Sequence, residues 1–118
     1  MLSRTHRFHG YGSLRYVYKN GKVVRGQYCS VKYVSNPRRT TYRVAVVVSK
    51  KVHKSAVVRN RIRRRVYELV RENLVADQAY DLVITVFSEQ LATLPSEQLQ
   101  KTILAQLRAA HLGLTSAN

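Results

Sequence analysis

Val44-Ala45-Val46-Val47-Val48-Ser49-Lys50-Lys51 is followed, after a short gap, by Ala56-Val57-Val58-Arg59-Asn60-Arg61-Ile62-Arg63-Arg64-Arg65. The first run is rich in valine, fits a sheet centre, and predicts a strand over roughly residues 41–49. The second predicts a helix from Ala56 to about Leu74, with Ser55 well suited to cap its N-terminus. Val58, Ile62, Val66, Leu69 and Val70 recur at helical spacing and form its buried stripe. Between the two lies a basic loop, Lys50-Lys51-Val52-His53-Lys54.

Upstream, Met1 to Gly10 reads as a basic arm. A short helix follows over roughly residues 12–19, stopped by Asn20-Gly21, with Tyr11, Leu14, Val17 and Tyr18 on one face. A strand is expected over roughly 26–35, where Cys29, Val31 and Tyr33 alternate with Ser30, Lys32 and Val34. Asn36-Pro37-Arg38-Arg39 is turn chemistry. Downstream, the apolar run over roughly 80–87 predicts a strand covered on both faces. A last helix starts near Pro95, with Leu99, Ile103, Leu107 and Ala110 facing the core, and the tail from 113 to 118 is expected to fray. The order helix, strands, helix, strand, helix predicts one domain over 1–118, a small α+β (α/β) sandwich with helices packed on a single sheet.

The 118 residues carry a formal net charge of +15, unevenly placed. Eighteen of the 21 Lys and Arg residues precede Glu68, the first acid. A folded surface normally mixes both signs, so an unrelieved basic half needs an anionic partner, and nucleic acid fits best. A membrane surface would want a basic amphipathic helix with a lipid-facing stripe, and every apolar stripe here is better used as core. Neither a signal peptide nor a run of ~20 apolar residues is present, so a cytoplasmic setting is expected. Cys29, the single cysteine, is expected to be a small core residue.

Arginines so dense on one helix repel each other unless an anion screens them, and each offers a planar fork matched to phosphate oxygens. Asn60, Arg61, Arg64 and Arg71 project away from the buried stripe, and Arg61 and Arg65, one turn apart, could grip successive phosphates. Asn60 adds an amide able to read a base edge or a 2′-hydroxyl. Glu68 could pair with Arg64 and Arg71, but that relieves only the second half of the helix.

With the Ser49-Lys50-Lys51 strand end, the loop, and the helix opening Arg59-Asn60-Arg61-Ile62-Arg63-Arg64, the chain resembles the bacterial ribonuclease P protein component. The likeness extends to Arg7-Phe8, to Val17-Tyr18-Lys19-Asn20-Gly21, and to the later strand and helix, nearly the whole chain. It implies an α+β sandwich of the kind found in a ribosomal-protein domain. It also implies a left-handed crossover from the Ser-Lys-Lys strand through the Arg-rich helix to the next parallel strand, against the usual hand. It implies contact with the catalytic ribonuclease P RNA by Lys50, Lys51, Lys54, Arg59, Asn60, Arg61, Arg63, Arg64 and Arg65. A cleft beside the first helix, with Tyr11, Leu14, Tyr18, Lys32 and Arg43, would take the single-stranded 5′ leader of precursor tRNA. Leu14 and Lys32 stand where relatives often carry aromatics, so Lys32 could offer a phosphate contact in place of stacking. A plain core role for Tyr18 stays open. The implied Mg²⁺ is held mainly by the RNA, with none bound tightly by the protein, and no obligate protein partner is expected.

No catalytic set stands out. His6, His9, His53 and His111 are scattered without metal-ligand spacing, and His53 in the basic loop suits RNA contact better than general-base work. Asp77 and Asp81 are too few for a two-metal nuclease and are expected to serve surface solvation and capping. Three other readings remain open: a ribosomal-type RNA binder, a DNA-binding module, and a nuclease acting without RNA.

Overall fold

The computed structural model describes residues 11–75 and 78–110, excepting the side chains of 11–13. The basic arm, Asp77 and the C-terminal tail therefore lie outside the described residues, as do His6, His9 and His111. Helix α1 (Tyr11–Asn20) is followed by strands β1 (Lys22–Arg25), β2 (Cys29–Ser35) and β3 (Arg43–Val48). Helix α2 (Ala56–Asn73), strand β4 (Tyr80–Val86), a 3₁₀ turn (Glu89–Ala92) and helix α3 (Ser96–Ala109) complete the chain.

The four strands form one sheet in the order β1-β2-β4-β3. β3 and β4 run parallel, with Val44 opposite Leu82 and Val46 opposite Ile84, and α2 makes the crossover between them. The other pairings are antiparallel. One sheet face presents Cys29, Val31, Val44, Val46, Val48, Leu82, Ile84 and Val86 to Ile62, Val66, Leu69 and Val70 of α2 and to Leu99, Ile103 and Leu107 of α3. Both helical stripes are thus the ones the sequence periodicity predicts. Fully burying each such aliphatic side chain contributes roughly 1.5–3 kcal/mol. α1 lies on β2 and β4 from the other side, where Val17 and Val83 are fully buried. β4 is central and sandwiched, which explains its nearly continuous apolar run.

Two expectations need correction. The strand expected over 26–35 begins only at Cys29 as β2, and residues 22–25, outside any expected strand, form the edge strand β1 that pairs with it as a hairpin. Residues Lys22–Arg25 are mostly exposed on that edge, so their hydrophobic pattern is weak. The turn between them is closed by the Gly26 amide donating to the Cys29 carbonyl at 2.9 Å. At Gly26, a Cβ would stand 2.5 Å from the Gln106 side chain, so glycine is what lets α3 approach the turn. Asp81 is the second correction. It is 2% exposed rather than a solvated surface acid, for reasons given below.

The Asn20-Gly21 stop is as predicted. The Gly21 amide donates to Val17 O at 2.8 Å, and a Cβ there would meet that oxygen at 2.6 Å. Ser55 caps α2, its hydroxyl accepting from the Val58 amide at 3.4 Å. Cys29 is fully buried, and burial alone pushes its thiol pKa up to about 12. Its Sγ donates to Gln106 Oε1 at 3.2 Å, while Gln106 Nε2 donates to the carbonyls of Val24 and Cys29. One buried amide therefore ties α3 to both strands of the hairpin.

Candidate nucleic-acid interface

The β3–α2 loop positions the first set of cations. Val52 N donates to Ser49 O, and Ser55 N donates to His53 Nδ1 at 3.0 Å, which places that ring's proton on Nε2. This bracing leaves Lys50, Lys51 and Lys54 exposed at the entrance to α2. Along the helix, Asn60, Arg61 and Arg64 are exposed. With Val57, 78% exposed, and Arg65, they line a shallow open recess. Neither Arg61 nor Arg64 takes part in an ion pair among the described residues. Arg71, by contrast, pairs with Glu68 at 2.7 Å, and that guanidinium is the largest of the causes that hold the Glu68 carboxyl well below its usual value.

The other three arginines of the motif are half-buried. Arg65 donates to Leu91 O at 2.6 Å and also to Leu94 O, which pins α2 to the segment before α3. Burial, and then the neighbouring Arg61 charge, lower its pKa from the usual value. The expected joint grip of Arg61 and Arg65 on successive phosphates is therefore not the arrangement found. Arg63 donates to Asn60 Oδ1 and, at 3.3 Å, to Val48 O. It thereby links the helix to the strand end and orients the Asn60 amide. Arg59 is half-buried, and its Nε has no hydrogen-bond partner among the described residues.

The second group surrounds α1. Val17 points into the sheet, and Leu14 and Tyr18 share one flank of the helix, half-buried and 43% exposed respectively. The Lys32 ammonium lies 5.8 Å from the Tyr18 ring centroid and donates to the Tyr18 carbonyl. Tyr11 opens α1, and its side chain lies outside the described residues. On the same sheet face, register places Lys32 across from Val23 and Val83, and Ser30 across from Arg25 and Thr85. At that end the Arg25 guanidinium stacks on exposed Phe87, 5.7 Å from its centroid. Sequence reading missed Arg25 and Phe87. Phe87 closes an apolar strand and reads as core, and only the β1–β2–β4 register sets Arg25 beside it.

Arg43 does not join this flank. Its guanidinium makes a two-pronged ion pair with Asp81, at 3.0 and 2.8 Å, and Asn36 Nδ2 donates to the same carboxylate at 2.9 Å. The Arg43 and Asp81 side chains are only 13% and 3% exposed. The pair accounts for the burial of Asp81, since a charge is kept inside only when matched. Arg43 and Asp81 floor a separate recess on the Tyr16 side of α1.

Among the described residues no three His, Cys, Asp or Glu side chains gather to hold a metal. No helix among them is long and apolar enough to cross a membrane.

Residues 2–111 match the ribonuclease P family model. The ribonuclease P protein component of Pseudanabaena sp. (strain PCC 6903) is 36% identical over 99 residues, 80% of this chain and 84% of that one. That of Chloroflexus aurantiacus is 46% identical over 80 residues, 67% of this chain, and the match spans 58% of the relative's own length. Solved structures of the RNase P proteins of Staphylococcus aureus and Thermotoga maritima both superpose with a TM-score of 0.76 at 23% identity. The first covers 89% of this chain and 94% of its own, the second 87% and 96%. At that identity the superposition establishes the fold.

Proposed function

The chain belongs to the ribonuclease P protein family, and from that premise we propose how its surfaces divide the work of the particle. Its place is beside the ribonuclease P RNA, in an endoribonuclease of transfer-RNA processing. In our reading Lys50, Lys51, Lys54, Asn60, Arg61 and Arg64 touch that RNA directly. Arg63 and Arg65 stand behind them and hold the helix in position. The observation that carries this reading is the pair Arg61 and Arg64, exposed on α2 without an acidic partner among the described residues. Each phosphate neutralised by such a cation releases counterions, and the RNA in turn relieves their mutual repulsion.

The precursor's single-stranded 5′ leader would run along the other flank, over Leu14, Tyr18 and Lys32 toward Arg25 and Phe87. Tyr18 and Phe87 offer faces for bases, and Lys32 and Arg25 offer charge for phosphates. Tyr11 belongs to this set by its place at the start of α1. We assign the bond-breaking step and its Mg²⁺ to the RNA. The protein's contribution is to align the leader and screen charge, which favours cleavage by lowering the entropy cost of positioning. We further assign the particle to the cytoplasm.

The test is affinity for ribonuclease P RNA across a salt series, for the native protein and for Arg61→Ala and Arg64→Ala. Each substitution should weaken binding and flatten the log–log salt slope by about 0.7–0.9. Unchanged slopes in both variants would show that these arginines do not meet phosphate.

A further inference from the structure

His53 sits half-buried in the loop between β3 and α2, with Lys50 and Lys51 before it and Lys54 after it, all three exposed. Its Nδ1 accepts from the Ser55 amide at 3.0 Å. Ser55 is the N-cap of α2, its hydroxyl accepting from the Val58 amide and its carbonyl from the Arg59 amide. The amide of a capping residue is commonly taken by a Glu or Gln three positions on. Here that position is Val58, which has no side-chain acceptor, and His53 takes the amide from the other side. Val52, packed against the core, anchors the loop at its base.

Accepting at Nδ1 fixes the tautomer: the ring is neutral and its proton is on Nε2. No group among the described residues accepts from that Nε2, and the atom reaches solvent. His53 therefore presents a hydrogen-bond donor outward and no lone pair. In this tautomer it cannot serve as a general base, which needs a free lone pair turned toward the substrate. The loop around it carries three lysines and no acid. Such a field draws an anion with acceptor oxygens. A ring already held at Nδ1 meets that anion with little rotamer freedom left to lose.

We propose that His53 is a two-sided residue of the catalytic-RNA surface: Nδ1 fixes the entrance to α2, and the Nε2–H donates, uncharged, to a phosphate oxygen of the ribonuclease P RNA. The proposal rests on the assignment of that surface above and adds a neutral donor to its cations. An uncharged donor releases no counterion, so its contact strengthens binding without steepening the salt dependence. That sets it apart from the lysines and arginines around it.

The two ring nitrogens can be replaced separately. Asparagine puts its Oδ1 where Nδ1 stands and can bond the amide two residues on, but it reaches no further. Glutamine carries its amide out to the place of Nε2 and leaves the Ser55 amide unpaired. Native protein, His53→Asn, His53→Gln, His53→Ala and Arg61→Ala are compared by thermal melts and by affinity for ribonuclease P RNA across a salt series. His53→Asn should melt with the native protein and bind roughly three- to tenfold more weakly at every salt concentration, with the native log–log slope. His53→Gln and His53→Ala should both melt lower, and His53→Gln should bind the more tightly of the two. Native affinity in His53→Asn, or equal affinity in His53→Gln and His53→Ala, overturns the donor. A flattened slope in His53→Asn overturns its neutrality, and native melting of His53→Ala overturns the clamp on Ser55. An Arg61→Ala protein with native affinity and slope removes the catalytic-RNA surface itself, and the His53 contact with it.

Discussion

Arg61 and Arg65 are one helical turn apart and alike in type, yet their surroundings give them different work. Arg61 faces solvent, whereas Arg65 is spent on the carbonyls of Leu91 and Leu94. Hydrogen bonds from a charged donor contribute roughly 1.5–3 kcal/mol each way, and losing this donor leaves two carbonyls short. Arg65→Ala should therefore lower stability by about 2 kcal/mol in urea unfolding while leaving the RNA salt slope of the folded protein nearly unchanged. A stable Arg65→Ala protein with a flattened slope would reverse the assignment. Cys29 makes a second point at this scale. With its pKa near 12, about one thiol in ten thousand is ionised at pH 8. A thiol-directed disulfide reagent should label the native protein only at the rate of unfolding, and rapid labelling of folded protein would contradict that burial.

At the scale of elements, Gln106 shows what periodicity does and does not disclose. The spacing Leu99, Ile103, Leu107 and Ala110 marks the core face of α3 in the sequence, and each is buried. Gln106 lies beside that stripe, reads as a surface residue, and is in fact 5% exposed because the hairpin turn brings two carbonyls and a thiol to it. Replacing it by leucine keeps the volume and strands those carbonyls. Gln106→Leu should cost roughly 1–3 kcal/mol, read as a lower urea midpoint. The hairpin itself was hidden for the same reason: an exposed edge strand has no need of an alternating pattern. Helices α2 and α3 and strands β3 and β4 were legible because they bury whole faces. In the site, the density of arginines identified α2, but only tertiary contacts separate open guanidiniums from occupied ones. The Arg43–Asp81 pair, 38 positions apart, has no local signature.

The ion pair on the far half of α2 gives a pH prediction. The Glu68 carboxyl is depressed from 4.5 to about 2, so its contribution to stability is complete above about 4.5 and is lost as pH falls through 2. Urea midpoints of native protein and Glu68→Gln should differ at pH 6 and converge as the pH drops through about 2. A constant difference across that range would mean the pair does not couple to folding.

At the scale of the whole molecule, a net charge of +15 on 118 residues opposes the compact state through self-repulsion. A polyanion that binds only the folded protein should raise its melting temperature, in proportion to RT ln(1 + [L]/Kd). Inorganic polyphosphate is expected to do so at low salt, with the effect fading as salt increases. An unaltered melting temperature at low salt would show that the basic surface is not strained.

In the proposed division of labour the protein acts through the RNA it binds, and the bond-breaking step belongs to that RNA. Cleavage of precursor tRNA at low Mg²⁺ tests that claim most directly, with the protein alone, the ribonuclease P RNA alone, and the two together. The account predicts efficient cleavage at the mature 5′ end only in the mixture, diminished when Arg61 and Arg64 are both replaced by alanine. Cleavage by the protein alone, or a mixture no faster than the RNA alone, would contradict it.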